Sequence, residues 1–531
     1  MSLPIQTCTA CSKSCPQVYL IDWLCTNPDC AAFWKMSNGQ DAPYGALDYH
    51  PAFLQHRTTW EREDPPFSLN PGVPQVDQHF GDSLAYVSTR GVVCPDCGRC
   101  NMRYMFNQWR CDTIGCKWKL TPQVKVVMPS NLGHTPWDMS SDGPSLIKAV
   151  VKPAVKTQVG YFSNYKVIKY TIEGVVGSVT VAKANQHIVS EPGGANDMFR
   201  ELQEVNVGLE RRILRKSNQV ESLPPPQENA VEPDGNLDAD GDEEEAEHQV
   251  EAGARMTAFG MNFGMPYKFI ATGDSQSFEA APAAVRAVRS RLNWAQRVFV
   301  NDDSGYQDFN ELLIFAYLEG QKIKYHDDGE EGLGPRIATL SLGAPATMSL
   351  RVKAKYFSQV SKTGVFTDEE PLPLPLLESC GYASGYTTKA KDAALQASKT
   401  PSRDTHVARL AAWNKLQDLR ANGDMANFRA RSKVLSKELQ LKRRDAETLL
   451  SFHLTHGDIV IMEGEDIQKF MEHSVEPHGH LRFAMTCRTV LPAHLTPEQF
   501  PQYEVLPDSE GYDGAAIKEE RDEGREAIVW E

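Results

Sequence analysis

A histidine and an aspartate with metal-ligand spacing end an apolar segment in the middle of the chain. His326 and Asp328 stand two residues apart in the stretch IKYHDDGEEG. On an extended chain alternate side chains point to the same side, so this pair shares a face while Asp327 points to the other. An imidazole and a carboxylate on the same face supply two of the ligands that a metal site needs. A lone His-x-Asp could also belong to an ordinary polar hairpin. The interpretation depends on a third ligand.

His473 is the candidate for that third ligand, because it follows the apolar strand-like segment GDIVIMEG. His478 and His480 are its rivals, and their distance from the strand favours His473. Two histidines and one carboxylate on a strand-rich scaffold are the facial ligand set of non-heme Fe(II) oxygenases, which leaves coordination positions open. A zinc hydrolase could use the same three side chains, so the metal stays open at this point.

Two arginines follow in the strand-like segment LRFAMTCRTVL. Arg482 and Arg488 are separated by an even number of positions, so both guanidinium groups face the same side as Ala484 and Thr486. Cations inside a β-core need anionic partners, which could be structural carboxylates or a dicarboxylate cosubstrate. The arginines favour an oxygenase with such a cosubstrate, because a zinc hydrolase gives them no evident role.

The cysteines are concentrated near the N-terminus in two copies of one pattern. Both copies read C-x2-C-x13-C-x4-C with a Trp two residues before the third Cys, and Cys15 and Cys100 are left over. Four thiolates at this spacing close a tetrahedral structural zinc site; buried thiols or a redox pair are the alternative. The predicted ligands are Cys8, Cys11, Cys25 and Cys30 for one Zn(II), and Cys94, Cys97, Cys111 and Cys116 for the other.

The two cysteine units are predicted zinc ribbons spanning residues 1–40 and 85–125. Structural zinc supplies folding free energy and no chemistry. The ribbons could bind nucleic acid, bind proteins such as those of chromatin, or brace the domain behind them. The sequence does not choose among these roles.

The charge of the chain is distributed unevenly. The 531 residues carry a formal net charge of −15, which at first argues against a nucleic-acid partner. Residues 217–254, however, hold 12 Asp or Glu and no Lys or Arg, so most of the excess negative charge lies there. We predict that this segment is a disordered linker. A calcium loop from Asn236 to Glu247 is the alternative, but a proline-rich tract stands where its first helix should be.

Composition otherwise indicates an intracellular protein, nuclear or cytoplasmic, without a membrane partner. The hydrophobic content of 41% is enough to bury a sizeable core. No apolar run approaches the length of about 18 residues that a membrane span requires. The N-terminal residues MSLPIQTC lack the basic and apolar regions of a signal peptide.

Short β-branched and aromatic segments separated by glycine turns predict a mainly β fold with helices, a sandwich or jelly roll. The predicted strands are 161–174, 177–189, 255–264, 311–320, 336–343, 347–354, 457–464 and 481–491. A helix after Gly193 is expected to carry Met198, Leu202, Val205, Leu209 and Ile213 on one side. Residues 143–216 thus form an N-terminal strand and helix part, and 506–531 form an acidic C-terminal tail.

Residues 358–448 interrupt the β pattern and are predicted to form a basic helical insertion. Within them, residues 388–447 hold 14 Lys or Arg against 7 Asp or Glu, and segment 402–423 has helical spacing with a Gly at its end. The excess charge indicates either an arm that contacts phosphates or an ordinary solvated helix face.

The order of these motifs resembles the AlkB family of 2-oxoglutarate/Fe(II) dioxygenases. RMTAFGMNFGMPY resembles that family's strand leading into a nucleotide-recognition lid, and YQDFNELLIFAYLEGQKIKYHDD resembles its strand with the cosubstrate tyrosine and the first metal ligands. GPRIATLSLGAP and HGDIVIMEG resemble its following core strands. The resemblance covers roughly residues 255–490 without the insertion. It implies a double-stranded β-helix (jelly roll) dioxygenase core made of residues 255–357 and 449–505.

The resemblance also implies an activity and a set of site residues. The activity is oxidative demethylation of N-methylated nucleobases in single-stranded or flipped DNA or RNA, with release of formaldehyde, succinate and CO2. The implied residues are His326, Asp328 and His473 for Fe(II), Tyr317 and Arg482 for the distal carboxylate of 2-oxoglutarate, Arg488 near its metal-chelating end, Glu330 for the flipped base and Tyr267 for stacking on it.

Two positions depart from the family pattern. Phe315 and Ala484 stand where the family usually has asparagines, which puts cosubstrate affinity in doubt but not the metal site. The long separation of Asp328 from His473 is explained by the insertion. The departures favour an alternative from another class, an inactive scaffold whose ribbons and basic insertion bind nucleic acid or chromatin proteins.

Overall fold

A computed structural model of the chain describes residues 149–163, 165–211, 256–266, 275–300, 306–318, 321–329, 332–381, 403–479, 481–495, 500–514 and 528–531. Before residue 149 it describes only short pieces, within 6–31, 92–93 and 100–127. The predicted linker 217–254 with its alternative calcium loop lies outside the described residues, as do Tyr267, Glu330 and His480.

Short antiparallel hairpins occur in the described pieces of both cysteine units. They are β1 (Gln6–Thr7) with β2 (Ser14–Cys15), β3 (Gln17–Tyr19) with β4 (Asp22–Trp23), β5 (Val92–Val93) with β6 (Cys100–Asn101), and β7 (Trp109–Arg110) with β8 (Lys119–Leu120). Cys8, Cys25, Cys94 and Cys97 lie outside the described residues, so the two four-cysteine zinc sites stay predictions.

The second cysteine unit is packed against the rest of the protein through Phe106. This side chain is 3% exposed, and its ring centroid lies 5.7 Å from that of Phe259 and 5.5 Å from that of Phe483. Its backbone N–H donates to the Leu209 carbonyl over 2.9 Å. Trp118 lies against the same apolar cluster. This unit therefore shares the main hydrophobic core.

Three strands and two short helices come next: β9 (Val155–Phe162), β10 (Tyr165–Ile172), β11 (Ser178–Ala184), α1 (Gln186–Ser190) and α2 (Ala195–Glu204). The strand predicted over 161–174 is confirmed by β10 but begins later than expected, because the chain turns at Ser163 in a left-handed conformation with φ 52°. The strand predicted over 177–189 ends early, since the Asn185 side chain accepts from the Ile188 N–H and starts α1.

The predicted helix after Gly193 is α2, and it is shorter than expected. It ends at Glu204, so Val205 and Leu209 lie beyond it, and Gly208 follows with a positive φ of 81°. Leu209 is buried even so, because the extended segment that carries it packs on the main core. The helical periodicity of apolar residues in the sequence therefore extends beyond the C-terminal end of α2.

The central region begins with β12 (Phe259–Gly264), β13 (Ser275–Gln276) and the long helix α3 (Ala283–Phe299). Eight core strands follow: β14 (Glu311–Leu318), β15 (Ile323–His326), β16 (Leu333–Gly343), β17 (Ala346–Val352), β18 (Leu450–Leu454), β19 (Ile459–Glu463), β20 (Met471–Pro477) and β21 (Leu481–Val490). The strand predicted over 255–264 coincides with β12, and the other strands predicted up to residue 491 coincide with members of this set.

The eight core strands are divided equally between two sheets. β14-β21-β16-β19 lie side by side in a ten-stranded sheet, and β15-β20-β17-β18 form a four-stranded sheet. Neighbours within each block are antiparallel. This connectivity is that of a jelly roll, so the prediction of a mainly β core with helices is confirmed. The ten-stranded sheet continues with β12 and β13 at one side and with β11, β10, β9 and the C-terminal β22 (Val529–Trp530) at the other.

The main hydrophobic core lies between the ten-stranded sheet and helices α2 and α3. Helix α3 contributes Val285, Val288, Leu292, Ala295 and Phe299, which recur every three or four residues and are all buried. Burying each of the larger side chains is worth about 1.5–3 kcal/mol. Helices α2 and α3 cover the outer face of the ten-stranded sheet, and the inner face of that sheet packs against the four-stranded sheet.

Helix α4 (Ala354–Ser358) comes at the end of the first core segment, and the described part of the insertion contains α5 (Leu374–Ser379), α6 (Arg403–Ala421) and α7 (Met425–Glu438). Helix α6 matches the segment predicted from 402 to 423 and stops before Gly423, whose φ is 73°. Helices α6 and α7 enclose a small core of Leu416, Phe428 and Leu435 against Phe366. A last short helix, α8 (Glu465–Phe470), precedes β20.

Part of the predicted C-terminal tail is docked on the fold. The Tyr512 ring lies edge-on to Trp294 at 5.3 Å, and β22 pairs with β9. Within the described residues, no helix combines the length and the apolar character that crossing a membrane would require.

Candidate active site

Three candidate ligands meet between the two sheets. His326 is the last residue of β15 and lies directly opposite His473 on β20, with ring centroids 4.2 Å apart. Asp328 follows β15 by two residues, and its Oδ2 lies 3.7 Å from His473 Nε2. One ligand atom from each side chain falls within 4.8 Å of the other two. The geometry fits a single metal ion held on one face.

The protonation states of these side chains suit metal binding. His326 Nδ1 lies 2.9 Å from the Lys324 carbonyl, which can only accept, so Nδ1 carries a proton and Nε2 is the nitrogen left to face a metal. Burial and the neighbouring His326 lower the pKa of His473 to about 3, although Asp328 opposes this, and the imidazole is therefore neutral. Burial raises the pKa of Asp328, but Arg488 and the two histidines outweigh it and hold that pKa well below its usual value.

The rival ligands are committed elsewhere. Asp327 lies on the other side of the chain, where Lys353 Nζ approaches its Oδ2 to 2.8 Å and the Gly329 N–H donates to its Oδ1. His478 Nε2 lies 2.6 Å from the hydroxyl of Thr347. Neither side chain belongs to the three-residue group.

Strands β14 and β21 form the wall beside the ligands. Their register places Tyr317 opposite Arg482 and Phe315 opposite Ala484. All four side chains, together with Thr486 and Arg488, line the pocket that contains the candidate ligands. The two arginines therefore do share one face, as the even spacing requires.

The two arginines have different surroundings. Arg488 Nη2 donates to Asp328 Oδ1 over 2.7 Å, and its Nη1 lies 3.6 Å from Glu311 Oε2. Arg488 thus stands between two carboxylates, and one of them is a candidate ligand.

Arg482 is 2% exposed and has donors to spare. Its Nη2 donates to Ser341 Oγ over 3.0 Å, whereas Nε and Nη1 make no hydrogen bond within the described part of the chain. Burial lowers its pKa to about 10, with Tyr317 acting in the opposite direction. A buried guanidinium with open N–H groups is a binding site for a carboxylate. The residues present therefore fit an oxo-acid dicarboxylate next to the metal.

The remainder of this wall is apolar. Phe315 and Ala484 group with Tyr317, Ala258 and Ile323 where the resemblance would put amides, and the Phe315 and Tyr317 rings are 5.9 Å apart. Thr486 on β21 contacts Thr339 of the neighbouring strand β16, with the hydroxyl oxygens 2.9 Å apart, and both side chains line the pocket.

Sequence reasoning missed three buried polar residues around the site: Asn262, Glu311 and Lys353. Glu311 carried a usable signal, because it is a charged residue in the apolar run ELLIFAYL at an even spacing from Tyr317. Asn262 and Lys353 carried none, since their partners come from distant parts of the chain. The predicted base contacts Tyr267 and Glu330 lie outside the described residues.

Comparison with known families agrees with this geometry. The model of the 2OG-Fe(II) oxygenase superfamily matches residues 246–489, a range that contains the three candidate ligands and both arginines. No curated protein matches the chain significantly. That superfamily uses Fe(II) and 2-oxoglutarate. We therefore identify residues 246–489 as a 2OG-Fe(II) oxygenase superfamily domain, and the enzyme as an oxidoreductase of the dioxygenase type.

Proposed function

We propose that this domain is an AlkB-like dioxygenase that removes N-linked methyl groups from nucleobases of DNA or RNA. The observation that carries the proposal is the juxtaposition of His326, Asp328 and His473 with Arg482, a buried cation with two open donors. Such a site takes an iron ion and a dicarboxylate together, and the motif order along the chain resembles that of the AlkB family.

The site residues have separate roles in binding the metal and the cosubstrate. His326 Nε2, Asp328 Oδ2 and His473 hold Fe(II), which when bound supplies O2 activation coupled to the oxidative decarboxylation of 2-oxoglutarate. Arg482 and Tyr317 bind the distal carboxylate of that cosubstrate. Arg488 holds Asp328 Oδ1, so the carboxylate turns its other oxygen to the metal.

Oxidation of the methyl carbon explains the products. Hydroxylation of an N-linked methyl group gives a hemiaminal, which releases formaldehyde and returns the proton to the base nitrogen. One oxygen atom enters the methyl group and the other enters succinate, with CO2 as the second coproduct. Because the ligands lie between two sheets, the base must leave its stack to reach them, so a single-stranded or flipped nucleotide is the substrate.

The cysteine units and the location of the protein belong to the same proposal. We assign two structural zinc ions to the eight predicted cysteines, and a nuclear or cytoplasmic location where methylated DNA or RNA is present. The ribbons would then contact nucleic acid or chromatin proteins.

Mass spectrometry of nucleosides tests the proposal. Full-length protein with Fe(II), 2-oxoglutarate and O2 is incubated with DNA and RNA oligonucleotides that carry different N-methylated bases, and the methylated nucleosides are quantified afterwards. We expect loss of at least one methylated base together with release of formaldehyde, and no loss with the Asp328→Ala variant. Succinate release without any change in the nucleosides would contradict the substrate class while leaving the oxygenase intact.

A second candidate function is that of a catalytically weak or inactive scaffold that binds nucleic acid. The pair Phe315–Ala484 favours it, because an apolar contact replaces two amides beside Tyr317 and Arg482. Succinate release from 2-oxoglutarate separates the two functions. An active dioxygenase releases succinate, and a scaffold releases none with or without a methylated oligonucleotide.

A further inference from the structure

Glu311, the first residue of β14, has a fully buried carboxylate. Glu311 is 0% exposed, and its Oε1 accepts a hydrogen bond of 2.6 Å from Asn262 Nδ2 on β12. Its Oε2 lies 3.6 Å from Arg488 Nη1. Removing a carboxylate from water costs several kcal/mol unless its partners are well placed. The residues that contact Glu311 therefore indicate its structural role.

Arg488 connects Glu311 to a candidate metal ligand. The guanidinium is a rigid planar fork, so the direction of Nη1 toward Glu311 also sets the direction of Nη2. Nη2 donates to Asp328 Oδ1 over 2.7 Å. Asp328 Oδ2 is then left on the side of His473 Nε2, 3.7 Å away. A shift of the fork would rotate the carboxylate and change which oxygen faces the histidines.

We infer that Glu311 is a positioning residue of the metal centre and acts through a chain of contacts that we call the carboxylate relay: Asn262, Glu311, Arg488 and Asp328. The inference rests on the proposed metal-binding role of Asp328. The relay reaches from β12 across β14 and β21 to the loop after β15, so four separate segments determine the orientation of one ligand.

Charge gives a second reason for the role of Glu311. With it, the buried Arg488 cation is shared between two carboxylates. Without it, the cation would lose one of these two carboxylate neighbours, and the pocket would be more positive by one unit beside a divalent ion. Partners that orient a metal ligand are typically worth about 10–100-fold in metal affinity. Neutralising Glu311 should therefore weaken metal binding even though this side chain never touches the ion.

Titration of the full-length protein with Mn2+, followed by the EPR signal of free Mn2+, measures the effect without turnover. Mn2+ prefers oxygen and nitrogen ligands over thiolates, so the cysteine units do not interfere. The His326→Ala variant defines binding outside the three-ligand group. We expect Glu311→Gln to weaken Mn2+ binding by about 10–100-fold. Glu311→Asp, which keeps the charge with a shorter reach, should fall between Glu311→Gln and the wild type.

Glu463→Gln is the matched control. Glu463 is also a strand glutamate that approaches an arginine, Arg336 at 3.7 Å, but Arg336 does not line the pocket, whereas Arg488 does. Its replacement should leave Mn2+ affinity unchanged. Thermal unfolding of each metal-free variant separates a lost ligand orientation from a general loss of structure.

A double variant tests the relay itself. Asn262→Ala should weaken Mn2+ binding less than Glu311→Gln does, and adding it to Glu311→Gln should cause no further loss, because both act through the same carboxylate. Fully additive losses would overturn the relay.

The outcomes distinguish this inference from the proposed function. If wild-type protein binds Mn2+ no more tightly than His326→Ala, the metal assignment fails. If wild-type binding is intact and Glu311→Gln equals it, the inference about Glu311 is wrong. Should Glu311→Gln not fold, unchanged affinity in both Asn262→Ala and Glu311→Asp overturns the inference instead.

Discussion

His326 and His473 lie directly opposite each other on neighbouring antiparallel strands, although the whole insertion separates them in the chain. β20 is also paired on its other side, where Leu350 of β17 faces His473. The spacing of the two imidazoles is therefore determined by strand register within the four-stranded sheet. The insertion between β17 and β18 is compatible with that register, because α6 and α7 form a small core of their own.

Loss of a candidate ligand should abolish turnover. We expect His326→Ala or Asp328→Ala to stop succinate release from 2-oxoglutarate, since two remaining ligands hold iron poorly. Circular dichroism and thermal unfolding of His326→Ala should remain close to wild type. His478→Gln removes a rival that lies outside the ligand group and should keep turnover. Full activity in either ligand variant would refute the assignment.

Replacing Arg482 should affect the cosubstrate. Arg482→Gln removes the buried charge to which we assign the distal carboxylate, and a charge-assisted hydrogen bond is worth about 1.5–3 kcal/mol. We expect the KM for 2-oxoglutarate to rise by about 10–100-fold, a range that follows from that energy. Arg336→Gln, at a strand arginine outside the pocket wall, should leave this KM unchanged. An unaltered KM in Arg482→Gln would mean that the carboxylate binds elsewhere.

Metal analysis of the full-length protein should find two zinc ions in addition to iron. Cys111→Ser removes one of four predicted thiolates and should release one zinc, whereas Cys100→Ser, at a leftover cysteine of the same unit, should retain both. Because Phe106 and Trp118 belong to the main core, we also expect Cys111→Ser to lower the melting temperature of the oxygenase domain. A zinc content that is equal in the two variants would contradict the predicted ligand set.

Three cations on α7 should bind phosphates if the insertion contacts the substrate strand. Arg429, Lys433 and Lys437 are exposed and recur every four residues, a rise of about 6 Å, on one face of the helix. None of the three forms an ion pair with another described residue, whereas Arg431 donates to both carboxylate oxygens of Glu438 over 2.7 and 2.6 Å.

Neutralising these three residues together should flatten the salt dependence of binding to long oligonucleotides. Each lost contact removes about 0.7–0.9 from the slope of log K against log salt concentration. Arg431→Gln is the control and should change the slope little. Turnover of a methylated mononucleoside should be the same in all variants. An unchanged slope in the triple variant would make this surface an ordinary solvated helix face.

Stability should fall with acid because of His456. Its Nδ1 accepts the Gly343 N–H over 2.8 Å and so carries no proton, and burial lowers its pKa to about 4. Between about pH 6.5, the ordinary pKa of histidine, and about pH 4, His456 is protonated in the unfolded chain but neutral in the folded chain. The free energy of unfolding should therefore decrease as the pH falls through this window, by roughly 3 kcal/mol from this residue.

The His456→Gln variant checks that origin. Glutamine keeps an acceptor for the Gly343 N–H but does not titrate in this range, so the pH dependence should become shallower. His473 contributes in the same direction and remains in the variant, so the slope should not vanish. An identical slope in both proteins would assign the acid sensitivity to other groups.

The amino-acid sequence by itself determined the local features of the site. The alternation of side chains along a strand placed His326 with Asp328, and Arg482 with Arg488, on common faces. Short apolar segments predicted many of the strands from 255 to 491, because strand propensity is a property of a few neighbouring residues. β18 and β20 were not predicted, although β20 carries His473. The ends of elements were harder, as Ser163 shows: this non-glycine residue makes a left-handed turn inside an apparently continuous strand.

Only the tertiary structure decided which buried charges meet. Glu311 faces Arg488 because β14 is the neighbour of β21, and Asp327 is held by Lys353 because β17 ends beside the loop after β15. Phe106 enters the main core from a cysteine unit far away in the chain. Such pairings depend on strand order and register between segments that are far apart in the chain, and local sequence patterns do not encode them. They matter for stability, because an unpaired buried charge costs several kcal/mol.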